Sequence, residues 1–238
     1  MIELLSPAGS PEGVIAAVQN GADAVYMGMG AFNARRGAKN FTDEEFVKAV
    51  RYCHVRGCKV YVTLNTLVND REMRDAVAAA KLASDAGADA LIVQDLGMSY
   101  AIRCALPDIP LHASTQMSIH NLAGAEAAAE MGLTRAVLAR ELSFEQIKFI
   151  TKHSPIETEV FVHGALCFCH SGQCYMSSLI GRRSGNRGMC AQPCRMEYTM
   201  GGRLEDSHPL SLKDNCLADR LIELSDAGVT CAKIEGRM

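Results

Sequence analysis

The sequence predicts an α/β protein, a (β/α)8 barrel of the TIM type, and two observations support this fold class. Short apolar runs without polar alternation recur along the 238 residues, as is typical of parallel strands that are buried on both faces. Most runs follow a helical stretch that ends in glycine, a residue that suits the left-handed position closing a helix. Clear examples are QNGADAVYMG at 19–28, VRGCKVYVTL at 55–64 and DAGADALIVQ at 85–94.

Eight apolar runs can be counted, which matches the number of strands in this barrel. A doubly wound open sheet is the rival architecture. The segment SPAGSPEG after the first run, however, lacks the G-x-G-x-x-G fingerprint of a dinucleotide site. The sequence therefore favours a barrel with strands at 2–5, 24–27, 59–64, 90–93, 111–113, 136–138, 158–162 and 231–234.

Helices with recognisable starts separate the strands. Ser10 before Pro11 is a good N-cap, and Thr42 and Ser143 each open a capping-box pattern. These signals and the apolar spacing predict helices at 11–19, 42–56, 70–85, 122–131 and 143–152. The last helix is expected to begin at Ser211, with Asp214 completing its capping pattern. Because the sequence stops after the eighth strand, we expect residues 1–238 to be one barrel catalytic domain of a longer protein.

Composition and charge exclude several classes of protein. The hydrophobic content of 48% and the charged content of 21% are those of a folded soluble domain. No apolar run approaches the roughly 20 residues of a membrane span, and the start MIELLSPAGS lacks a signal-peptide core. We therefore expect a cytoplasmic protein without a membrane partner. A net charge of −3 gives no global attraction to nucleic acid, so such binding requires a local patch.

Polar residues follow the predicted strands, such as Gln94 and Asp95 after the strand at 90–93, and the catalytic groups of such barrels lie at these strand ends. Amides and cations predominate, which suits binding of an anionic small molecule, with Arg35 and Arg140 as carboxylate forks. Any one of them could equally be an ordinary loop residue. Glu141 could be either the ion partner of Arg140 or a general base. The candidate catalytic residues are Arg35, Asn65, Gln116, Arg140, Glu141 and His163.

Five of the ten cysteines lie between 167 and 194, inside an insertion at about 163–210 between strand 7 and the following helix. An ordinary βα loop has about 2–6 residues, so this insertion must fold over the barrel mouth. Its four main thiols could bind zinc or an iron–sulfur cluster. Free thiols, or a cysteine nucleophile with His163 or His170 as its base, are the alternatives. The candidate ligands are Cys167, Cys174, Cys190 and Cys194, whereas Cys53, Cys58 and Cys104 are predicted to be small buried side chains.

Residues 160–196 contain no aspartate or glutamate but include Arg182, Arg183, Arg187 and Arg195. This positive charge could offset the thiolates of a metal cluster or contact phosphates. A solvated basic loop is the third explanation.

The run EVFVHGALCFCHSGQCYMS at 159–177 resembles the signature of the collagenase-like peptidases of family U32. LLSPAGS, AFNAR, RGMCAQPCR, SLKDNC and KIEGRM extend the resemblance over nearly the whole sequence. The resemblance implies a barrel-like catalytic domain and either proteolysis or oxygen-independent hydroxylation, in some members of an RNA pyrimidine with prephenate. It also implies a [4Fe–4S] cluster on Cys167, Cys174, Cys190 and Cys194, with Cys216 as an alternative fourth ligand.

The leading hypothesis is therefore hydroxylation of a tRNA or rRNA base, with an anionic small molecule such as prephenate as co-substrate. In this hypothesis RNA contacts the patch formed by Arg182, Arg183 and Arg187. A collagenase-like peptidase is the alternative function, and zinc is the alternative metal.

Overall fold

A computed structural model describes residues 2–30, 32–34, 41–199 and 207–236. Eight parallel strands form a ring in which strand β7 pairs with both β6 and β9, and β9 pairs with β1. The closed (β/α)8 barrel is thus confirmed, and the open doubly wound sheet is wrong. The strands of the ring are β1 (Glu3–Pro7), β2 (Ala24–Gly28), β3 (Lys59–Leu64), β4 (Ala90–Val93), β5 (Leu111–Ala113), β6 (Arg135–Val137), β7 (Glu157–Gly164) and β9 (Cys231–Ile234). The short strand β8 (Asn215–Cys216) lies outside the ring.

The helices begin where side chains can satisfy their first backbone N–H groups. Thr42 and Ser143 form the expected capping boxes with Glu45 and Gln146, and Asn69 forms a third with Glu72. In the described ranges every helix is too short or too polar to cross a bilayer. The helices are α1 (Pro11–Gln19), α2 (Asp43–His54), α3 (Asp70–Asp85), α4 (Leu96–Ala105), α5 (Leu122–Glu130), α6 (Phe144–His153), α7 (Met176–Gly181) and α8 (Leu221–Asp226).

The prediction that the last helix begins at Ser211 is wrong, since α8 begins at Leu221. The Ser211 hydroxyl accepts a hydrogen bond from Arg195 Nη1 at 2.8 Å instead of capping a helix. Residues 215 and 216 then form β8, which pairs antiparallel with the end of β7, opposite His163 and Gly164. Because α8 begins only at Leu221, the insertion extends beyond residue 210, and β8 near its C-terminal end joins it to the barrel sheet.

Two further details differ from the sequence-based expectations. Helix α4 was not predicted, and Asp95, which we assigned to the strand end, caps it by accepting a hydrogen bond from Met98 N at 2.8 Å. Cys53 and Cys58 are buried as expected, but Cys104 is exposed. The helix α4 that carries Cys104 therefore presents this thiol to solvent.

Alternate residues of each strand face the helices and the barrel interior. The outward residues, such as Val60, Val62 and Leu91, belong to the large core between the strands and the helices. The inward residues include the small apolar cluster around Tyr26 and Tyr61. This two-sided burial explains why the strands read as continuous apolar runs.

The barrel interior also contains ion pairs. Glu159, which is fully buried, accepts a hydrogen bond from Lys233 Nζ at 2.8 Å, and Arg135 Nη1 lies 3.4 Å from its other oxygen. Arg135 also pairs with Glu3 at 2.7 Å. Burial, and then the charges of Arg135 and Lys233, hold the pKa of His112 well below its usual range. His112 is therefore neutral beside these cations.

We predict that Glu159→Ala destabilises the barrel by about 3–5 kcal/mol, because it leaves two buried cations without their shared carboxylate. Glu157→Ala is the matched control, since Glu157 also pairs with Arg135 but its side chain is half exposed. Loss of this exposed partner should cost less than about 1 kcal/mol. Urea denaturation of both variants measures the difference, and equal costs would contradict the structural account.

Candidate active site at the barrel mouth

The cysteine-rich insertion lies on the barrel mouth through close backbone contacts. Gly172 has a φ of +73°, and a Cβ atom there would overlap the carbonyl oxygen of Gln116. Gly188 has a φ of +74°, and a Cβ atom there would lie 2.6 Å from the carbonyl oxygen of Asn33. Both glycines are therefore needed for conformation and for space. The insertion touches the loops after β2 and β5.

Glu141 anchors the same loop with its carboxylate. Oε1 accepts from Ser171 N at 3.1 Å and lies 3.2 Å from His170 Nδ1, while Oε2 accepts from the Ser171 hydroxyl at 2.9 Å. Partial burial opposes ionisation, but hydrogen bonds to its own backbone and to Ser171 and His170 leave the pKa of Glu141 below its usual value. The Glu141 carboxylate thus bonds to His170 and Ser171 of the insertion and not to Arg140.

Arg140 is held at the mouth by three contacts. It forms an ion pair with Glu235, donates from Nη1 to the carbonyl oxygen of Ala165 at 3.0 Å, and lies 4.1 Å from the centre of the Phe161 ring. The predicted carboxylate fork thus binds a carboxylate of the protein itself. Its buried Nε has no hydrogen-bond partner among the described residues. One donor therefore remains for a ligand.

Amide side chains also lie at other strand ends of the barrel mouth. Asn65 accepts a hydrogen bond from Ala34 N at 2.9 Å and donates to Ser114 Oγ at 3.3 Å, so it links three strand ends. The buried Oε1 atoms of Gln94 and Gln116 have no hydrogen-bond partner within the described residues. The sequence pattern placed both glutamines at strand ends, but we included only Gln116 among the candidate catalytic residues.

The two remaining candidate catalytic residues have different outcomes. His163 is exposed at the end of β7, where its carbonyl oxygen accepts a hydrogen bond from Glu235 N at 2.8 Å. Arg35 lies outside the described residues. His163 thus stays next to Glu235, the partner of Arg140.

The candidate ligand cysteines approach one another in the insertion. Desolvation raises the pKa of the Cys167 thiol; Arg140 opposes this, whereas Glu235 and then the thiols of Cys194 and Cys190 add to it. Gly185 lies close to both Cys174 and Cys190, since a Cβ atom on it would lie 3.6 Å from the carbonyl oxygen of Cys174 and 3.8 Å from Cys190 Cβ. Cys216 follows on β8, opposite His163.

These thiols do not form a ready-made ligand cage. In residues 2–30, 32–34, 41–199 and 207–236, no three His, Cys, Asp or Glu side chains are arranged to hold a metal ion. The donor set nevertheless fits a thiolate-ligated centre, because four cysteines lie in one docked segment without a carboxylate between 160 and 196.

A cysteine nucleophile finds less support. His170 contacts Glu141, which resembles the base-orienting half of a catalytic triad. However, the pKa of the Cys169 thiol is raised, mainly by desolvation and next by the neighbouring Cys174. An activated nucleophile needs a lowered thiol pKa.

A cavity of about 420 Å³ lies beside these groups and is within the size range of small-molecule sites. Its walls include Arg140 and Glu141 from the barrel and Cys167, Phe168 and Cys169 from the insertion. The cavity thus lies between Arg140 and two cysteines of the insertion.

The arginines of the insertion divide into two pairs. Arg187 pairs with Glu72 and donates to the carbonyl oxygen of Leu67, and Arg195 binds residues 211, 212 and 214. Arg182 and Arg183 form no ion pair with the described residues. Arg187 therefore differs from Arg182 and Arg183, because a carboxylate of the protein offsets its charge.

Comparison with known proteins places these features in a family. The model of peptidase family U32 matches residues 9–238. The 23S rRNA 5-hydroxycytidine C2501 synthase of Escherichia coli K12 is 43% identical over 99% of this chain and 36% of its own length. The tRNA hydroxylation protein P1 of Bacillus subtilis strain 168 and a collagenase of Porphyromonas gingivalis are each 36% identical over 99% of this chain, which covers 58% and 61% of their lengths.

A solved structure agrees with the fold. The U32 peptidase Mk0906 superposes with a TM-score of 0.65 at 14% identity, over 100% of this chain and 94% of that one. The chain spans about a third to three-fifths of the length of the curated relatives it matches.

We predict that Gly172→Ala releases the insertion from the mouth, because alanine would overlap the Gln116 backbone in a left-handed conformation. Hydrogen exchange of the amides at 165–174 should become about 5- to 30-fold faster, in line with a left-handed penalty of about 1–2 kcal/mol. Gly181→Ala is the control in the same segment, since a Cβ atom there would meet nothing within 4 Å. Unchanged exchange in Gly172→Ala would show that this contact does not hold the loop.

Proposed function

This chain belongs to peptidase family U32, and we propose that it is the barrel domain of an enzyme that hydroxylates a pyrimidine base in RNA. The observation that carries the proposal is the position of the cysteine-rich insertion. It brings thiols to the open end of the barrel, beside Arg140 and the cavity. Relatives named for rRNA and tRNA hydroxylation align over 99% of the chain, which supports the same substrate class.

We propose that Cys167, Cys174, Cys190 and Cys194 hold a [4Fe–4S] cluster, with Cys216 as the alternative fourth ligand. Such a cluster, when bound, supplies one-electron transfer. Burial raises the pKa of the Cys167 thiol and Glu235 adds to the rise, whereas Arg140 opposes it, as a positive neighbour of a thiolate ligand would. Zinc is the alternative metal, because four thiolates also suit its tetrahedral coordination.

The remaining mouth residues would bind the small co-substrate. Arg140 Nε is a donor without a partner, and Gln94 and Gln116 each offer an amide side chain whose oxygen is unpartnered within the described part of the chain. Such a set suits a molecule that carries both carboxylate and hydroxyl groups. Prephenate, which the family resemblance suggests, is a dicarboxylate with a hydroxyl group and matches this chemistry.

A peptidase is the competing function, and the pair formed by His170 and Glu141 is the observation in its favour. Hydrolysis would require a cysteine activated by His170. The raised pKa of Cys169 opposes this role.

We predict that protein purified without oxygen contains about four irons and four sulfides per chain, if the four thiolates ligate one [4Fe–4S] cluster. Each of Cys167→Ala, Cys174→Ala and Cys190→Ala should lose most of the iron. Cys104→Ala should retain it, because Cys104 is exposed on α4 and far in sequence from the insertion. Iron and sulfide analysis measures this, and zinc in place of iron would reject the cluster assignment.

We also predict that deletion of the gene removes one hydroxylated pyrimidine from the RNA of the source organism. The wild-type gene should restore the nucleoside and Cys104→Ala should restore it equally, whereas Cys174→Ala should give little or none of it. Mass spectrometry of digested RNA measures the nucleoside. An unchanged nucleoside profile, together with cleavage of denatured collagen by the pure protein, would replace RNA hydroxylation with the peptidase function.

A further inference from the structure

We propose that helix α7 and Phe168, which both belong to the insertion, form the surface that binds the RNA substrate, with Phe168 stacking on the target base at the cavity. In this inference Arg182 and Arg183 contact phosphates at the far end of α7. The proposal rests on the proposed function and names the part of the protein that recognises unpaired RNA.

The first observation is a group of exposed apolar side chains on the insertion. Phe168 is 54% exposed, Tyr175 is 60% exposed and Leu179 is 85% exposed. Tyr175 and Leu179 lie one helical turn apart, since Leu179 N donates to the carbonyl oxygen of Tyr175. Aromatic side chains held in solvent are stacking platforms for unpaired bases, and they tolerate different base sequences.

The second observation is that this surface is fixed to the candidate ligand cysteines. Tyr175 directly follows Cys174, and Ser177 in α7 is buried. The Ser177 hydroxyl lies 3.7 Å from Cys190 Sγ and accepts a hydrogen bond from Ala191 N at 3.0 Å. A nucleotide bound on α7 would therefore be held at a defined position relative to the thiols.

The third observation is the position of Phe168 relative to the cavity. Phe168 lines the cavity of about 420 Å³ together with Cys167, Cys169 and Arg140. An enzyme that modifies a base must extract it from its stack and hold it in a pocket, commonly against an aromatic side chain. Phe168 is both a wall of this cavity and partly exposed, as such a side chain must be.

The fourth observation is charge. Arg182 ends α7, and Arg183 donates from Nε to the carbonyl oxygen of Met189 at 3.1 Å, which orients its guanidinium group. No carboxylate residue occurs in 160–196 to neutralise them. Phosphate contacts from two such arginines would position the strand, while the aromatic rings receive the bases. This combination favours RNA over a purely apolar protein partner.

The experiment measures binding of a fluorescein-labelled single-stranded pyrimidine-rich RNA by anisotropy, with protein purified without oxygen. The double variant Arg182→Ser/Arg183→Ser should bind about tenfold more weakly. The slope of log affinity against log salt should become less steep by about 1.4, at about 0.7 for each phosphate that the variant no longer neutralises. Lys148→Ser/Lys152→Ser on α6 removes the same charge from another exposed surface and should leave the affinity unchanged.

A second pair of variants tests the stacking role. Phe168→Ala should weaken binding about tenfold, and Phe168→Tyr should restore it, because tyrosine keeps the aromatic face. Equal losses in the arginine and lysine pairs, or unchanged binding in both Arg182→Ser/Arg183→Ser and Phe168→Ala, would overturn the proposal. It would also be overturned if Leu179→Ser changed the oligomeric state while RNA binding stayed intact, since α7 would then be a protein interface.

These outcomes are separate from those of the proposed function. If deletion of the gene leaves every RNA nucleoside unchanged but RNA binding depends on Arg182, Arg183 and Phe168, the RNA-binding surface stands and hydroxylation fails. If the nucleoside depends on the gene but these variants bind RNA normally, hydroxylation stands and the proposed surface fails.

Discussion

The docking of the cysteine-rich insertion on the barrel mouth is the constraint on which the candidate site depends. The barrel alone supplies amides and one arginine, and the thiols come from a segment that has little regular structure of its own. Close approach at Gly172 and Gly188 sets the distance between the two parts, and the Glu141 carboxylate fixes the orientation of the loop. A side chain at either glycine would separate the cysteines from the cavity. The site is therefore a property of the contact rather than of the insertion or the barrel.

The charged groups of the protein fall into two sets with different roles. Below the mouth, Glu159, Lys233 and Arg135 satisfy one another inside the barrel, where an unpaired charge would be costly. At the mouth, Gln94, Gln116 and Arg140 each retain a buried polar atom without a partner in the described part of the chain. Buried polar atoms are normally hydrogen-bonded. His112 Nδ1 inside the barrel also has no described partner, so it is the shared position of the three atoms at the mouth that supports our proposed co-substrate site. Stability and binding are thus assigned to different levels of the same barrel.

The sequence predicts the barrel well because both-sided burial and helix caps are local signals. It predicts the last helix wrongly, since Ser211 and Asp214 resemble a capping pair but bind Arg195, a contact that spacing cannot show. Asp95 misleads in the opposite way, because a helix cap and a mouth residue look alike at a strand end. The partner of Glu141 is likewise missed, since Ser171 lies 30 residues away. Local patterns predict elements, whereas long-range pairing of polar groups decides which candidate residues are free.

The absence of acidic residues from 160–196 acquires a specific meaning once the partners of the arginines are known. Arg187 and Arg195 find their carboxylates outside this stretch, on Glu72 and Asp214, and so attach the insertion to α3 and to the segment before β8. A carboxylate within the stretch could pair with them locally, and the insertion would lose these links to the barrel. It could also neutralise Arg182 and Arg183 or repel the thiolates. A single compositional feature therefore serves docking, the candidate metal site and the exposed positive charge at the end of α7.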